Sequence, residues 1–241
     1  MSRHVLVTGG GSGIGAAIAR RCAAAGYRVS LLGRRSVPLE AVAGGLAAQA
    51  AGIVSADVTD DDALTRALLQ LTSTHGPVEI LVNSAGAAPT APFRKLDEQQ
   101  WSATLDVNLN GPVRCMRALL PGMEQAGWGR IVNIGSTAAL IGYRYVSVYC
   151  AAKHGLLGVT RALALELAQS GITVNMVCPG YTDTDIIRGA VDTIVRRTGR
   201  SPEEALRTFT DVNPQGRLVS VEQVAATALW LMSEDSDAVT G

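Results

Sequence analysis

The sequence predicts an α/β fold, a single-domain doubly wound parallel sheet with helices on both faces, and three observations predict it. Short runs rich in Val, Ile and Leu recur between longer Ala- and Leu-rich stretches with helical spacing, the pattern of repeated βα units. A glycine-rich turn, Thr8-Gly9-Gly10-Gly11-Ser12-Gly13-Ile14-Gly15, follows directly on the first of those runs. At 241 residues the chain suits one large domain, residues 1–241, with a sizeable core, and no low-complexity linker or repeat divides it.

Strands are expected at 4–8, 28–32, 52–56, 78–83, 130–134 and 173–178, and helices at 13–25, 37–50, 61–74, 98–126, 149–169 and 221–232. Apolar residues make up 47% of the chain and aromatic ones only 4%, so the interior is built from Ala, Val, Leu and Ile. From Tyr181 to Val219 helical pieces are broken by Gly189, Gly199, Pro202, Pro214 and Gly216. That stretch, about 181–219, lies beyond the carboxyl ends of the strands, where ligands bind in such sheets, and reads as a substrate lid. A sheet of this kind takes one more strand after 221–232, yet the chain stops at Val239-Thr240-Gly241, so a terminal strand is expected to be missing or disordered.

Lys plus Arg and Asp plus Glu balance at 21 each, which gives no global field toward nucleic acid or anionic lipid and favours a small ligand. Cys22, Cys115, Cys150 and Cys178 form no CxxC pair and read as reduced thiols in a cytoplasmic protein. Ser2-Arg3 runs straight into a strand, leaving no room for a signal peptide, and no apolar run is long enough to span a bilayer. His4, His75 and His154 are too dispersed for a metal cluster, so no metal is expected.

The glycine-rich turn opens the first helix, so backbone N–H groups and the helix dipole there can face a pyrophosphate; a tight βα connection is the plainer reading. Where an NAD site places an acid at the end of the second strand, this chain has Leu31-Leu32-Gly33-Arg34-Arg35. Two guanidinium groups suit a 2′-phosphate, so NADP(H) is expected in preference to NAD(H), unless the arginines merely start a solvated helix. Asp57 and Val58, after the third strand, are candidates for the adenine, or for the turn Asp57-Val58-Thr59-Asp60.

Tyr149 and Lys153 lie four apart, which on a helix stacks both on one face. A neighbouring ammonium and an oxidised nicotinamide ring both favour the phenolate, making Tyr149 usable as acid or base; an exposed helical pair is the alternative. Ser136 closes the strand Ile131-Val132-Asn133-Ile134 and can hydrogen-bond a carbonyl oxygen. Asn83-Ser84-Ala85-Gly86 closes the fourth strand similarly, and Asn108 is a polar amide in a predicted helix; each alone suits a turn or cap.

With these motifs in order, the chain resembles the short-chain dehydrogenase/reductase family over essentially its whole length. The family's TGxxxGxG is Thr8 through Gly15, its NNAG turn is Asn83 through Gly86 with Ser84 substituted, and its catalytic Asn falls on Asn108. Ser136, Tyr149 and Lys153 complete the tetrad, and Pro179-Gly180-Tyr181-Thr182-Asp183-Thr184 falls where the family places its backbone and Thr contacts to the nicotinamide carboxamide. The resemblance implies a Rossmann fold and hydride transfer between C4 of the nicotinamide and a carbonyl or secondary alcohol held by Ser136 and Tyr149. It further implies a Lys153 that lowers the Tyr149 pKa, and an Asn108 that holds a water linking Lys153 to solvent. Its members pair through helices equivalent to 98–126 and 149–169, so a homodimer or homotetramer is expected.

The stretches around Tyr149 and Cys178 look like those of β-ketoacyl reductases, polyketide ketoreductases and 3-hydroxyacyl-thioester dehydrogenases, which suggests a 3-oxoacyl or 3-hydroxyacyl thioester. Arg188, Arg196, Arg197, Arg200, Arg207 and Arg217 would steer the phosphates of a coenzyme A or carrier-protein arm, or are simply solvated. Another alcohol or ketone, such as a sugar, polyol or steroid, and a non-catalytic NADP(H)-binding regulator are the other readings.

Overall fold

Side chains along each strand alternate between two apolar layers, as a strand with helices on both sides requires. In the computed structural model, which describes residues 2–241, the elements run β1 (His4–Thr8), α1 (Gly13–Ala24), β2 (Arg28–Gly33), α2 (Ser36–Gly44), β3 (Ala50–Ser55), α3 (Asp61–His75), β4 (Ile80–Asn83) and α4 (Glu98–Leu105). They continue as α5 (Gly111–Ala126), β5 (Gly129–Ile134), α6 (Ser147–Glu166), β6 (Ile172–Val177), α7 (Asp185–Thr198), α8 (Pro202–Thr210) and α9 (Val221–Met232). The strands pair in parallel in the order β3-β2-β1-β4-β5-β6, the doubly wound sheet that the sequence predicts. Val5, Val7, Ile80, Val82 and Val132 pack with α1 and α9 on one face, while Leu6, Leu81 and Ile131 pack with α3, α5 and α6 on the other. Each fully buried Leu or Ile contributes roughly 1.5–3 kcal/mol over leaving it exposed, so the two layers carry most of the stability.

Several boundaries differ from the sequence expectation, each for a local reason. The helix expected over 37–50 stops at Gly44, where the pair Gly44-Gly45 weakens helix propensity, and β3 starts two residues early at Ala50. The helix expected over 98–126 is interrupted by a π turn at Asp106–Asn110. No seventh strand forms among the described residues. The last residues instead lie against β6: Gly241 N–H donates to the Val174 carbonyl (2.9 Å), Val174 N–H to the Thr240 hydroxyl (3.1 Å) and the Asn175 amide to the Val239 carbonyl (2.7 Å). Among the described residues no helix is long and apolar enough to cross a membrane.

At the amino-terminal end of the sheet His4 is 1% exposed. Nδ1 lies 3.2 Å from the carbonyls of Gly76 and Pro77 and so carries the hydrogen, while Nε2 accepts from the Ser30 hydroxyl at 2.7 Å. Burial holds its pKa below the ordinary 6.5, with those carbonyls pulling the other way. The folded state therefore refuses a proton that the unfolded chain accepts below about pH 6.5, and stability falls as pH drops through that range. His4→Gln, which keeps a donor and an acceptor without titrating, is expected to flatten the fall in melting temperature between about pH 6.5 and 5 measured by circular dichroism.

Candidate active site

Chain order reverses between β1 and β4, which opens a crevice at their carboxyl ends. The Thr8 hydroxyl ties the two strands there, accepting from the backbone N–H groups of Ser84 (3.0 Å) and Ala85 (3.1 Å). Gly9 has φ 66°, and a Cβ on it would sit 2.9 Å from the Ala85 Cα, so this approach needs glycine on both counts. Gly13 has φ 51°, and a Cβ on Gly15 would strike the Gly9 carbonyl. The helix α1 that follows starts at Ser12 with no side-chain cap and no acid in its first turn, unlike α3, α4, α8 and α9, whose first turns are capped by Asp60, Asp97, Ser201 and Ser220. Its first N–H groups are left for an anion, and the cradle fits a dinucleotide pyrophosphate.

From this turn the cleft runs two ways, and its two parts share Gly9, Ser12, Ala85 and Gly86. One part is lined by Gly11, Arg34, Arg35, Asp57 and Val58. Arg34 is an open guanidinium, its side chain 77% exposed, with Nη1 3.9 Å from Asp57. The other Asp57 oxygen accepts from the Thr59 N–H (3.0 Å) and hydroxyl (2.9 Å), so the turn reading of Asp57 holds alongside its place in the cleft. The other part is lined by Gly13, Ile14, Gly15, Asn108, Ser136, Tyr149, Lys153, Pro179, Gly180, Thr182 and Thr184.

Helix α6 carries Tyr149 and Lys153 one turn apart, and its face toward the sheet places both beneath the end of β5. The Lys153 ammonium is 4% exposed and donates to the Ile134 carbonyl at 2.8 Å. Burial pulls its pKa down to about 8. Ser136 accepts from the Ala138 N–H at 3.1 Å, which leaves its own O–H free to donate into the cleft. Burial pushes the Tyr149 phenol above its ordinary 10, with the Ser136 hydroxyl pulling it back. The ammonium that the resemblance places beside Tyr149 stands back from the phenol here. Lys153 Nζ lies 5.7 Å from the ring centroid and points to a carbonyl, so among the protein's own groups desolvation dominates.

Asn108 is fully buried in the π turn. Its Nδ2 donates to the carbonyls of Ala87 (2.8 Å) and Thr104 (3.0 Å), and its Oδ1 accepts from the Ala87 N–H (3.3 Å). The side-chain amide takes the Thr104 carbonyl that the helix would otherwise use, which widens the turn. Both amide hydrogens are thereby spent.

Of the predicted site residues, Asn83 does not line the cleft. It is 2% exposed, and its Nδ2 donates to Asn133 Oδ1 (2.9 Å), whose own amide donates to Thr160 Oγ1 (2.9 Å), so Asn83 is a strand-to-helix tie behind the site rather than a wall of it. Asn133 and Thr160 escaped the sequence reading because each looks like a lone polar residue in an apolar element. The Ile134 carbonyl escaped it because every residue has one. Ala87, Ala88, Tyr181, Ile186 and Ile187 also line the catalytic end; the loosening of pattern after Tyr181 hinted at the two isoleucines, and nothing in the sequence singled out the two alanines.

Comparison with known proteins agrees with this geometry. A family model described as short chain dehydrogenase matches residues 3–195. The D-beta-hydroxybutyrate dehydrogenase of Rhizobium meliloti (strain 1021) is 35% identical, covering 100% of this chain and 95% of its own length. Acetoacetyl-CoA reductase from the same organism is 37% identical over 100% and 95%. Among solved structures, actinorhodin polyketide ketoreductase with NADPH superposes with a TM-score of 0.94 at 36% identity, over 99% of this chain and 93% of that one.

A buried ammonium costs the folded state stability. Below about pH 8 Lys153 is charged in both states and that cost is complete. As pH rises from about 8 toward the unfolded value of 10.5 the folded protein releases the proton first, and stability increases. Lys153→Met is expected to raise the melting temperature at pH 7 by roughly 5 °C and to remove the rise above pH 8, as calorimetry of the protein alone would read it.

Proposed function

The chain belongs to the short-chain dehydrogenase family, whose members transfer a hydride between a nicotinamide cofactor and a carbonyl or alcohol, and on that premise we propose that it is an NADP(H)-preferring reductase of 3-oxoacyl thioesters. One observation carries the reading: a single cleft joins an uncapped, glycine-built helix start to Ser136, Tyr149 and Lys153. When bound, the cofactor supplies or accepts the hydride at its nicotinamide ring. Ser136 donates its free O–H to the substrate oxygen, and the Tyr149 phenol gives up its proton to that oxygen as an alcohol forms. Lys153 holds ribose hydroxyls and brings positive charge beside Tyr149. Asn108 lines the same end of the cleft, beside the path by which a water would resupply the proton, with both its amide hydrogens on backbone carbonyls. Pro179, Gly180, Thr182 and Thr184 supply contacts to the carboxamide.

NADP(H) is favoured over NAD(H) by the exposed Arg34 guanidinium at the end of β2, followed by Arg35 and with no acid in the usual place. The thioester reading is supported by the name of the Rhizobium acetoacetyl-CoA reductase, and residues 181–219 act as the lid over that substrate. Four free cysteines, two of them pushed up to about 12 by burial, suit a reducing cytoplasm. On α6 the stripe Ala151, Gly158, Ala162 and Leu165 is exposed, Leu165 at 80%, which suits close packing against a second copy in a homodimer or homotetramer.

Tyr149→Phe is expected to lower turnover of acetoacetyl thioesters by at least about 1,000-fold while NADPH fluorescence titration stays unchanged; full turnover in that variant would sink the mechanism. Arg34→Ala is expected to weaken NADPH about tenfold and leave NADH untouched, read by the same titration. Since burial keeps Tyr149 protonated at neutral pH, reduction needs no raised pH, whereas oxidation of the alcohol is expected to speed up from about pH 7 to 9 in initial-rate assays.

A further inference from the structure

We infer that Asn213, which lies behind the cleft, is a positioning residue for the nicotinamide half of the cofactor: it fixes the two peptide planes that flank Tyr181 and thereby aims the Thr182 N–H at the bound ring. The role rests on the nicotinamide-cofactor reading above.

Asn213 sits in the connection between α8 and α9 and is 4% exposed. Its Oδ1 accepts from the Tyr181 N–H (3.0 Å), and its Nδ2 donates to the carbonyls of Tyr181 (2.9 Å) and Arg217 (2.8 Å). Both amide hydrogens and the amide oxygen are thus spent on backbone, and only this orientation of the amide gives each of the three groups a partner. Contact is close on the neighbouring residue too, since a Cβ on Gly180 would strike Asn213 Oδ1.

The clamped segment is a wall of the cleft, lined by Gly180, Tyr181, Thr182 and Thr184, whereas Asn213 is not part of that lining. Thr184 Cγ2 stands 3.6 Å from where a Cβ on Gly13 would be, so the segment faces the glycine turn across the gap. The Tyr181 ring packs edge-on against Tyr143 and Phe209, which holds the side chain but does not set the tilt of the peptide planes. Those planes have one other support, a short parallel bridge in which the Val219 N–H donates to the Tyr181 carbonyl and the Asp183 N–H to the Val219 carbonyl, each at 2.9 Å. A pairing that short is marginal alone. In a trans peptide the Thr182 N–H points opposite to the Tyr181 carbonyl, away from Asn213, and among the described residues it has no backbone partner. Holding the carbonyl from behind therefore directs a free donor forward.

The test compares NADPH, titrated by fluorescence, with 2′-phospho-ADP-ribose, the same cofactor without its nicotinamide, titrated by competition. Asn213→Ala is expected to weaken NADPH about tenfold, to change the fragment less than about twofold, and to lower kcat on acetoacetyl-CoA about tenfold at saturating NADPH. A merely structural role would lower the melting temperature and the folded fraction, which moves both ligands alike. Should that variant fail to fold, Asn213→Ser, which keeps a hydroxyl for one of the three contacts, is expected to show the same selective loss at about threefold. Equal weakening of both ligands, or no weakening of NADPH, would overturn the inference. If NADPH binds but no ketone or thioester is reduced, the reductase reading falls and the ratio of the two affinities still decides the role of Asn213.

Discussion

Strands β1 and β4 meet at a point where no side chain fits between them, and the cleft is organised around that approach. Thr8 supplies the tie and Gly9 the space: the hydroxyl takes two N–H groups from the neighbouring strand end, and the missing Cβ lets the Ala85 backbone come within contact. The turn that leaves this point must rise over the sheet and start a helix immediately, which sets the N-terminus of α1 at the mouth of the crevice. A binding site for an anion thus follows from packing alone. The catalytic half of the cleft uses the same floor, because Gly86 is pressed against Asn108, where a Cβ would lie 2.8 Å from Oδ1.

The electrostatics divide along the cleft. At the β2 end, positive charge is exposed and cheap, carried by Arg34 in water. At the β5 end it is buried in Lys153, where desolvation weakens the ammonium and the Tyr149 phenol alike. Both groups are held toward their neutral forms by the same dry surroundings, so the charge brought by a bound dinucleotide has a large effect on them and would have little on a solvated pair. Stability is given up at this point for reactivity, consistent with strain and burial gathering where chemistry occurs.

Much of this was legible in the sequence, and the part that was not has a common cause. The short apolar runs placed all six strands to within two residues, because all but β3 are buried along most of their length and tolerate few polar substitutes. The glycines of the first turn and the four-residue spacing of Tyr149 and Lys153 picked out the junction of the cleft and one of its ends, since their chemistry demands particular residue types. What stayed hidden depends on tertiary contact: the Asn83–Asn133–Thr160 chain joins three elements far apart in sequence, and the Lys153 partner is a backbone carbonyl. The end of α2 was visible in Gly44-Gly45 but lost to a longer apolar pattern around it.

The π turn at Asp106–Asn110 has a consequence for the two helices it separates. Such a turn holds one residue more than an α-helical one, so the face presented by α4 is rotated by about 100° from where an unbroken helix would put it. Helix α5 is bound to the sheet through Cys115, Met116, Leu119 and Met123, which fixes its rotation completely. The extra residue works as a phase adjuster. It lets α4 take its own bearing against α6 without twisting α5 out of the core, and it does so beside the groups that must be aligned to within fractions of an ångström.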